Sequence, residues 1–268
     1  MATAVEPHPQ ASTPKITGVQ PLRAGQGIHF LLRRLHSLSG IVPVGAFLLE
    51  HFISNAAATN GPIAYGEQVK FLTSLPFLIF LETFGIFLPI LYHALYGFYI
   101  WYRGESNITS YPWTGNWMYT AQRWTGAIAF FYMLWHTYKL RFTGIHLATS
   151  PEASFAKVQH ELQNPVMLAI YVVAIIAASW HLAYGIWLFC AKWGITPGAR
   201  GRKLVGYACT GLAIVLISIG LITVASFFNP KWKNTTPTDP NSERATQTQS
   251  GVEDTKAPAS QVHVVVQR

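Results

Sequence analysis

The sequence predicts an all-α integral membrane bundle of five transmembrane helices. Three observations carry that expectation. Five apolar segments, at about 31–54, 76–101, 118–140, 166–190 and 204–228, each approach the roughly 20 residues that cross a bilayer. Half of the 268 residues are hydrophobic and only 11% are charged, against about 25% in a typical soluble domain. Finally, the first four segments carry histidines at positions 51, 93, 136 and 181, at intervals of 42, 43 and 45 residues. Such an interval is about one membrane-spanning helix plus a connection.

The segments follow in order. Residues 1–28 are rich in Pro, Thr, Gln and Gly and contain no apolar signal-peptide core, which predicts a disordered N-terminal arm. The first apolar segment opens after Arg33-Arg34 and carries Glu50-His51. The second holds Tyr92–Trp101, YHALYGFYIW, and the fourth holds Trp180–Phe189, WHLAYGIWLF, so aromatic-His-x-x-Tyr-Gly occurs twice. The third carries Trp135-His136. Trp101, Tyr102, Trp113, Trp117 and Trp193 cluster near segment ends, as in interfacial aromatic belts. Turn signals divide the segments: Asn60-Gly61-Pro62, Tyr111-Pro112, Ser150-Pro151, Asn164-Pro165 and Thr196-Pro197-Gly198. Residues 29–228 thus form the membrane domain, and 229–268 a disordered polar tail.

The net charge of +8 does not point to nucleic acid, because the basic residues sit at the ends of apolar runs. On one side lie Arg33, Arg34, Arg103, Arg123, Lys192, Arg200, Arg202 and Lys203; on the other lie Lys70, Lys139, Arg141 and Lys157. The positive-inside rule then places the N-terminus in the cytoplasm and the C-terminus outside. Cys190 and Cys209 form no CxxCH and no cysteine metal site.

Topology gives depth. His93 is ten residues from Arg103 and His181 eleven from Lys192, roughly 15–16 Å at the helical rise. His51 is seventeen residues from Arg34 and His136 thirteen from Arg123, roughly 20–26 Å. The four sort into an inner pair, His93 with His181, and an outer pair, His51 with His136. Two histidines facing each other at one depth suit six-coordinate haem iron, and two such pairs would stack two haems across a membrane. Zinc suits the pattern poorly, since it takes three or four clustered ligands. Gly97 and Gly185 each follow an inner histidine by four residues, where a flat macrocycle could approach or a neighbouring helix could pack. His8, His160 and His263 lie in polar segments, and His146 just past the third helix. His36, near the cytoplasmic end, suits a structural role or a place near a quinone or subunit interface.

Arg33-Arg34-Leu35-His36-Ser37, Leu49-Glu50-His51, Leu88-Pro89-Ile90-Leu91-Tyr92-His93-Ala94-Leu95-Tyr96-Gly97, Gln122-Arg123-Trp124-Thr125-Gly126, Trp135-His136 and Trp193-Gly194-Ile195-Thr196 closely resemble the single-chain di-haem cytochrome b anchor of succinate dehydrogenases and fumarate reductases. The resemblance covers about 29–228. It implies five spans and two b haems, with axial ligands at His51, His93, His136 and His181 paired 93/181 and 51/136. It also implies a flavoprotein subunit and an iron–sulfur subunit docked at the cytoplasmic face of a bacterial-type inner membrane, and electron exchange with a menaquinone-type quinone. The dicarboxylate chemistry would reside in the soluble subunits.

Haem propionates need cationic or hydroxyl partners: Arg34, Ser37, Arg123 and Lys192 are inner candidates, Lys139 and Arg141 outer ones. Each also suits an interfacial anchor. Quinone chemistry moves protons, and Glu82, about six residues inside the second span, is the candidate group; Glu50 sits beside His51, and Glu67 lies in the first outer loop. A structural hydrogen bond is its alternative. Two other functions stay open: a di-haem cytochrome b of a hydrogenase or formate dehydrogenase, and a haem-free anchor or transporter with proton-relaying histidines.

Overall fold

A computed structural model describes residues 24–144, 146 and 149–232, and every regular element among them is helical. Contacts divide the chain after Leu35. The described part of the first unit is the start of α1 (Ala24–Ile41), where the Arg34 guanidinium lies 5.0 Å from the centre of the Phe30 ring. The remaining elements belong to the second unit, which begins at His36.

The first expected span is interrupted once. Pro43 has no N–H to return to the carbonyl four residues earlier, so α1 gives way to α2 (Pro43–Asn55) at Val42. The second span begins with α4 (Leu78–Phe80), passes through a π-helical stretch, Leu81–Phe87, and continues as α5 (Leu88–Tyr102). Pro89 is again the local cause, since it cannot donate to Gly85. The third expected span is α6 (Thr114–Thr137), also ending in a π-helical stretch, Tyr138–Phe142. The fourth, α8 (Pro165–Lys192), has a built start: the Asn164 carboxamide oxygen accepts from the Val166 and Met167 amides at 2.9 and 3.3 Å, and Pro165 fills the first turn. The fifth is α9 (Ala199–Ser226).

The stretches Gly27–Asn60, Leu78–Tyr102, Pro165–Lys192 and Ala199–Ser226 are long and apolar enough to cross a membrane. At 24 residues α6 is long enough, but Asn116, Gln122 and Arg123 lower its apolarity. The architecture is a helical membrane bundle, in which α8 packs along both α6 and α9.

The connections expected to be turns are folded. α3 (Pro62–Thr73) and α7 (Ser154–Leu162) are too short to span a bilayer and escaped a search for apolar runs. They build a cluster around Phe155 and Leu162, with Tyr65, Tyr171, Phe227 and the rim residue Trp232. Residues 230–232, assigned from sequence to the tail, form a 3-10 turn that brings Trp232 against Gly61. At Gly61, φ is +97° and an added Cβ would meet the indole at 2.6 Å, so only glycine suits both demands.

Candidate functional site: two histidine pairs

The fold brings together the histidines that the sequence pairs. The ring centres of His93 and His181 are 6.1 Å apart with planes at 86°; those of His51 and His136 are 5.9 Å apart with planes at 89°. A metal–imidazole bond of about 2.0 Å, plus about 1.1 Å from nitrogen to ring centre, sets two axial imidazoles about 6 Å apart. The donor set therefore fits one six-coordinate metal between each pair. All four residues are half-buried. Among the described residues no group of three or more His, Cys, Asp or Glu is placed to hold a metal ion. Haem iron asks only two ligands of the protein.

The 93/181 pair is oriented by backbone carbonyls of neighbouring helices. His93 Nδ1 donates to the His36 carbonyl at 2.9 Å, and His181 Nδ1 donates to the Gln122 carbonyl at 3.0 Å. A carbonyl only accepts, so Nδ1 carries the proton in both rings and each Nε2 keeps a lone pair. Metal-binding histidines are tied down in the same manner. The Gln122 carboxamide also donates to the His181 carbonyl at 3.0 Å.

The 51/136 pair is held by side chains of its own helices. His136 Nδ1 lies 3.1 Å from the Tyr132 hydroxyl, one turn away. Asn55 Nδ2 donates to the His51 carbonyl at 2.8 Å and stands 3.4 Å from either ring nitrogen. The Tyr65 hydroxyl donates to Asn55 Oδ1 at 2.8 Å, linking α3 to the pair. Burial raises the Tyr65 phenol above its ordinary pKa, which keeps that donor protonated.

The remaining candidates are distributed unevenly. His36 stacks on His93 with ring centres 4.1 Å apart and planes at 10°, and its Nδ1 is buried without a hydrogen-bond partner among the described residues. Arg123 donates from Nη1 to the Tyr119 carbonyl at 2.8 Å, while its Nε is buried without a hydrogen-bond partner among the described residues. Ser37 and Lys139 are half-buried, and Lys192 is exposed at the end of α8. Arg34 lies in the first unit. Gly97 and Gly185, where the sequence allowed either a macrocycle or a packed helix, lie against side chains of neighbouring helices: an added Cβ would meet His36 Cε1 at 3.2 Å and Gln122 Nε2 at 3.5 Å.

Glu82 and Arg141 meet in the fold. Read from sequence, they are candidates for proton handling and propionate binding, with a structural hydrogen bond as the alternative for Glu82; they form one bidentate ion pair, Nε–Oε1 and Nη2–Oε2 both at 3.1 Å. The two π-helical stretches carry these residues, and sequence spacing could not reveal that they meet. Glu50 accepts from Ser54 Oγ, which accepts in turn from Gln68 Nε2 at 3.2 Å; Glu67 is exposed on α3. Lys157 donates to the Leu140 and Thr143 carbonyls at 2.9 and 2.7 Å, closing the end of the third span. Burial, then the neighbouring Lys139 charge, pushes its ammonium below the usual lysine value. His160 lies on α7, and His8 and His263 lie outside the described residues.

Residues 105–225 match the family of succinate dehydrogenase/fumarate reductase transmembrane subunits. Over 198 residues, 74% of this chain and 96% of the relative, the sequence is 36% identical to the succinate dehydrogenase cytochrome b558 subunit of Bacillus subtilis (strain 168). The chain belongs to this family. It is therefore a multi-pass membrane-anchor subunit of a succinate dehydrogenase or fumarate reductase. The family match covers α6 and α8 entirely and all of α9 but its last residue, and so includes the less apolar α6. Sequence reasoning missed the carbonyls of His36 and Gln122, and with them Asn55, Tyr65 and Tyr132. The Ser39-Gly40 and Thr125-Gly126 steps, four residues after each carbonyl's own residue, were the available signal.

Proposed function

We propose that this anchor passes electrons between an iron–sulfur subunit and a membrane quinone of menaquinone type, through two b haems each ligated by two histidines. The observation that carries the reading is the pair of facing imidazoles at axial spacing, found twice. The relative's name, a cytochrome b558 subunit, supports it. When bound, haem supplies one-electron iron redox chemistry, and two axial imidazoles leave its iron no open position.

The chain's own residues do the rest. His93 and His181 hold their Nε2 lone pairs ready because both Nδ1 protons are engaged. Arg123 offers its partnerless buried Nε to a propionate of the 93/181 centre, with Ser37 and Lys192 as further partners. His51 and His136 ligate the second centre. Arg141 serves there through Glu82, which fixes its guanidinium, and this ion pair is the proton-handling candidate beside a quinone. His36 remains a second quinone-side candidate. A flavoprotein and an iron–sulfur subunit dock at the cytoplasmic face, with the N-terminus cytoplasmic and the C-terminus outside, as the basic residues imply.

The test uses the assembled complex. His93→Ala and His136→Ala are expected to abolish electron transfer from succinate to quinone while succinate oxidation by a soluble dye persists. Wild-type quinone reduction in both variants would refute the relay.

A further inference from the structure

The 93/181 pair is seated by a four-residue device that occurs twice. In each copy, a helix presents the carbonyl of residue i to a histidine of its neighbour, and residue i+4 is glycine. The first copy is the His36 carbonyl, Gly40 and His93; the second is the Gln122 carbonyl, Gly126 and His181. The geometry explains the spacing. A helical carbonyl points toward the N–H of residue i+4, and the Cβ of that residue leans back toward it. A side chain there would stand between the carbonyl and an incoming ring. An added Cβ at Gly40 would come within 2.8 Å of His93 Nδ1, and one at Gly126 within 2.6 Å of His181 Cε1 and 3.1 Å of its Nδ1.

The arrangement is reciprocal. Each histidine is followed four residues later by its own glycine, Gly97 or Gly185, and over that glycine lies the side chain of the residue that offered the carbonyl, His36 or Gln122. A hydroxyl precedes each seat glycine and donates to the same carbonyl: Ser39 Oγ to His36 at 3.0 Å, and Thr125 Oγ1 to Gln122 at 3.3 Å. Thr125 also donates to the Ala121 carbonyl at 2.7 Å.

We infer that Ser39-Gly40 and Thr125-Gly126 are positioning residues that seat His93 and His181 on backbone carbonyls and thereby fix the tautomer and plane of both ligands of one haem. The inference rests on the bis-histidine reading. It goes further by predicting an orienting device for one centre and none of the kind for the other, since no such carbonyl seat is formed at His51 or His136 among the described contacts.

The experiment uses the haem-loaded full-length chain in membranes, read by haem-to-protein ratio, redox-titrated absorption and the low-field g value of each ferric haem. His93→Ala first identifies which signals belong to this centre. Gly40→Ala and Gly126→Ala are then expected to shift the g value and midpoint of that haem, or to lower its occupancy several-fold, and to leave the other haem unchanged. Gly211→Ala on α9, where no atom lies within 4 Å of an added Cβ, is the control and should alter neither. Ser39→Ala and Thr125→Ala should shift the same haem by less, and they carry the test if a glycine variant does not assemble. Unchanged signals in the glycine and hydroxyl variants, or equal loss of both haems, would overturn the proposal. Retention of both haems in His93→Ala would instead overturn the ligand assignment beneath it.

Discussion

The two histidine pairs share a spacing and differ in how they are held. Ring centres are 6.1 Å apart at 93/181 and 5.9 Å at 51/136. At the first pair, both Nδ1 protons go to backbone carbonyls 57 and 59 residues away in sequence. At the second, the contacts come from Tyr132 and Asn55, each four residues from its histidine. A carbonyl seat dictates the tautomer, whereas a hydroxyl can donate or accept. The first centre is therefore oriented by the packing of helices against one another. The second depends on side chains that a single substitution can remove, and it sits under the cap of α3, α7 and the Trp232 turn.

The comparison can be broken most severely by double replacements. His93→Ala with His181→Ala should remove one haem, about half of the total. His93→Ala with His51→Ala should remove both, because each substitution then strikes a different centre. Haem-to-protein ratios of the purified chain decide this, and equal loss in the two double variants would mean the pairing is wrong.

A smaller effect separates the ends of the molecule. Arg141→Met or Glu82→Gln leaves one charge of a partly buried pair unmatched, at a cost of about 1–3 kcal/mol. Arg141 follows His136 by five residues, so thermal melts should show the loss while the signals of the 93/181 haem stay in place. The double variant should lose less than the sum of the singles. Strict additivity would show that the ion pair carries no coupling.

Tyr132→Phe sharpens the contrast further. It deletes the hydroxyl at His136 Nδ1, worth about 1 kcal/mol, which corresponds to a midpoint shift on the order of 40 mV for a one-electron centre. Redox titration should find that shift in the 51/136 haem alone. The smallest effect is expected from Tyr65→Phe, which removes a donor to Asn55 one step farther from the ring. It should move the same midpoint by less than Tyr132→Phe does, and a larger shift would place Asn55 above Tyr132 in control of that centre.

Much of this was readable from the chain. Four histidines at near-constant intervals, sorted by distance from basic end residues, gave two pairs, and the fold sets the rings of each pair about 6 Å apart. Apolar runs located the four stretches long and apolar enough to cross a membrane, because each must fill a bilayer thickness. The cap was hidden because α3 and α7 bury one face against each other rather than in lipid, and so lack a long apolar run. The Glu82–Arg141 pair was hidden because it joins residues 59 positions apart through π-helical turns, whose register no helical period predicts. Backbone carbonyls are silent in a sequence; only Gly40 and Gly126 betray that something approaches them.

The most direct test of two bis-histidine centres is a redox-titrated absorption spectrum of the purified chain beside its four single His→Ala variants. Two b-type transitions in the intact chain are expected, with one of them missing from both His93→Ala and His181→Ala and the other missing from both His51→Ala and His136→Ala. A folded intact chain without a Soret band, or single variants that keep both transitions, would contradict the account.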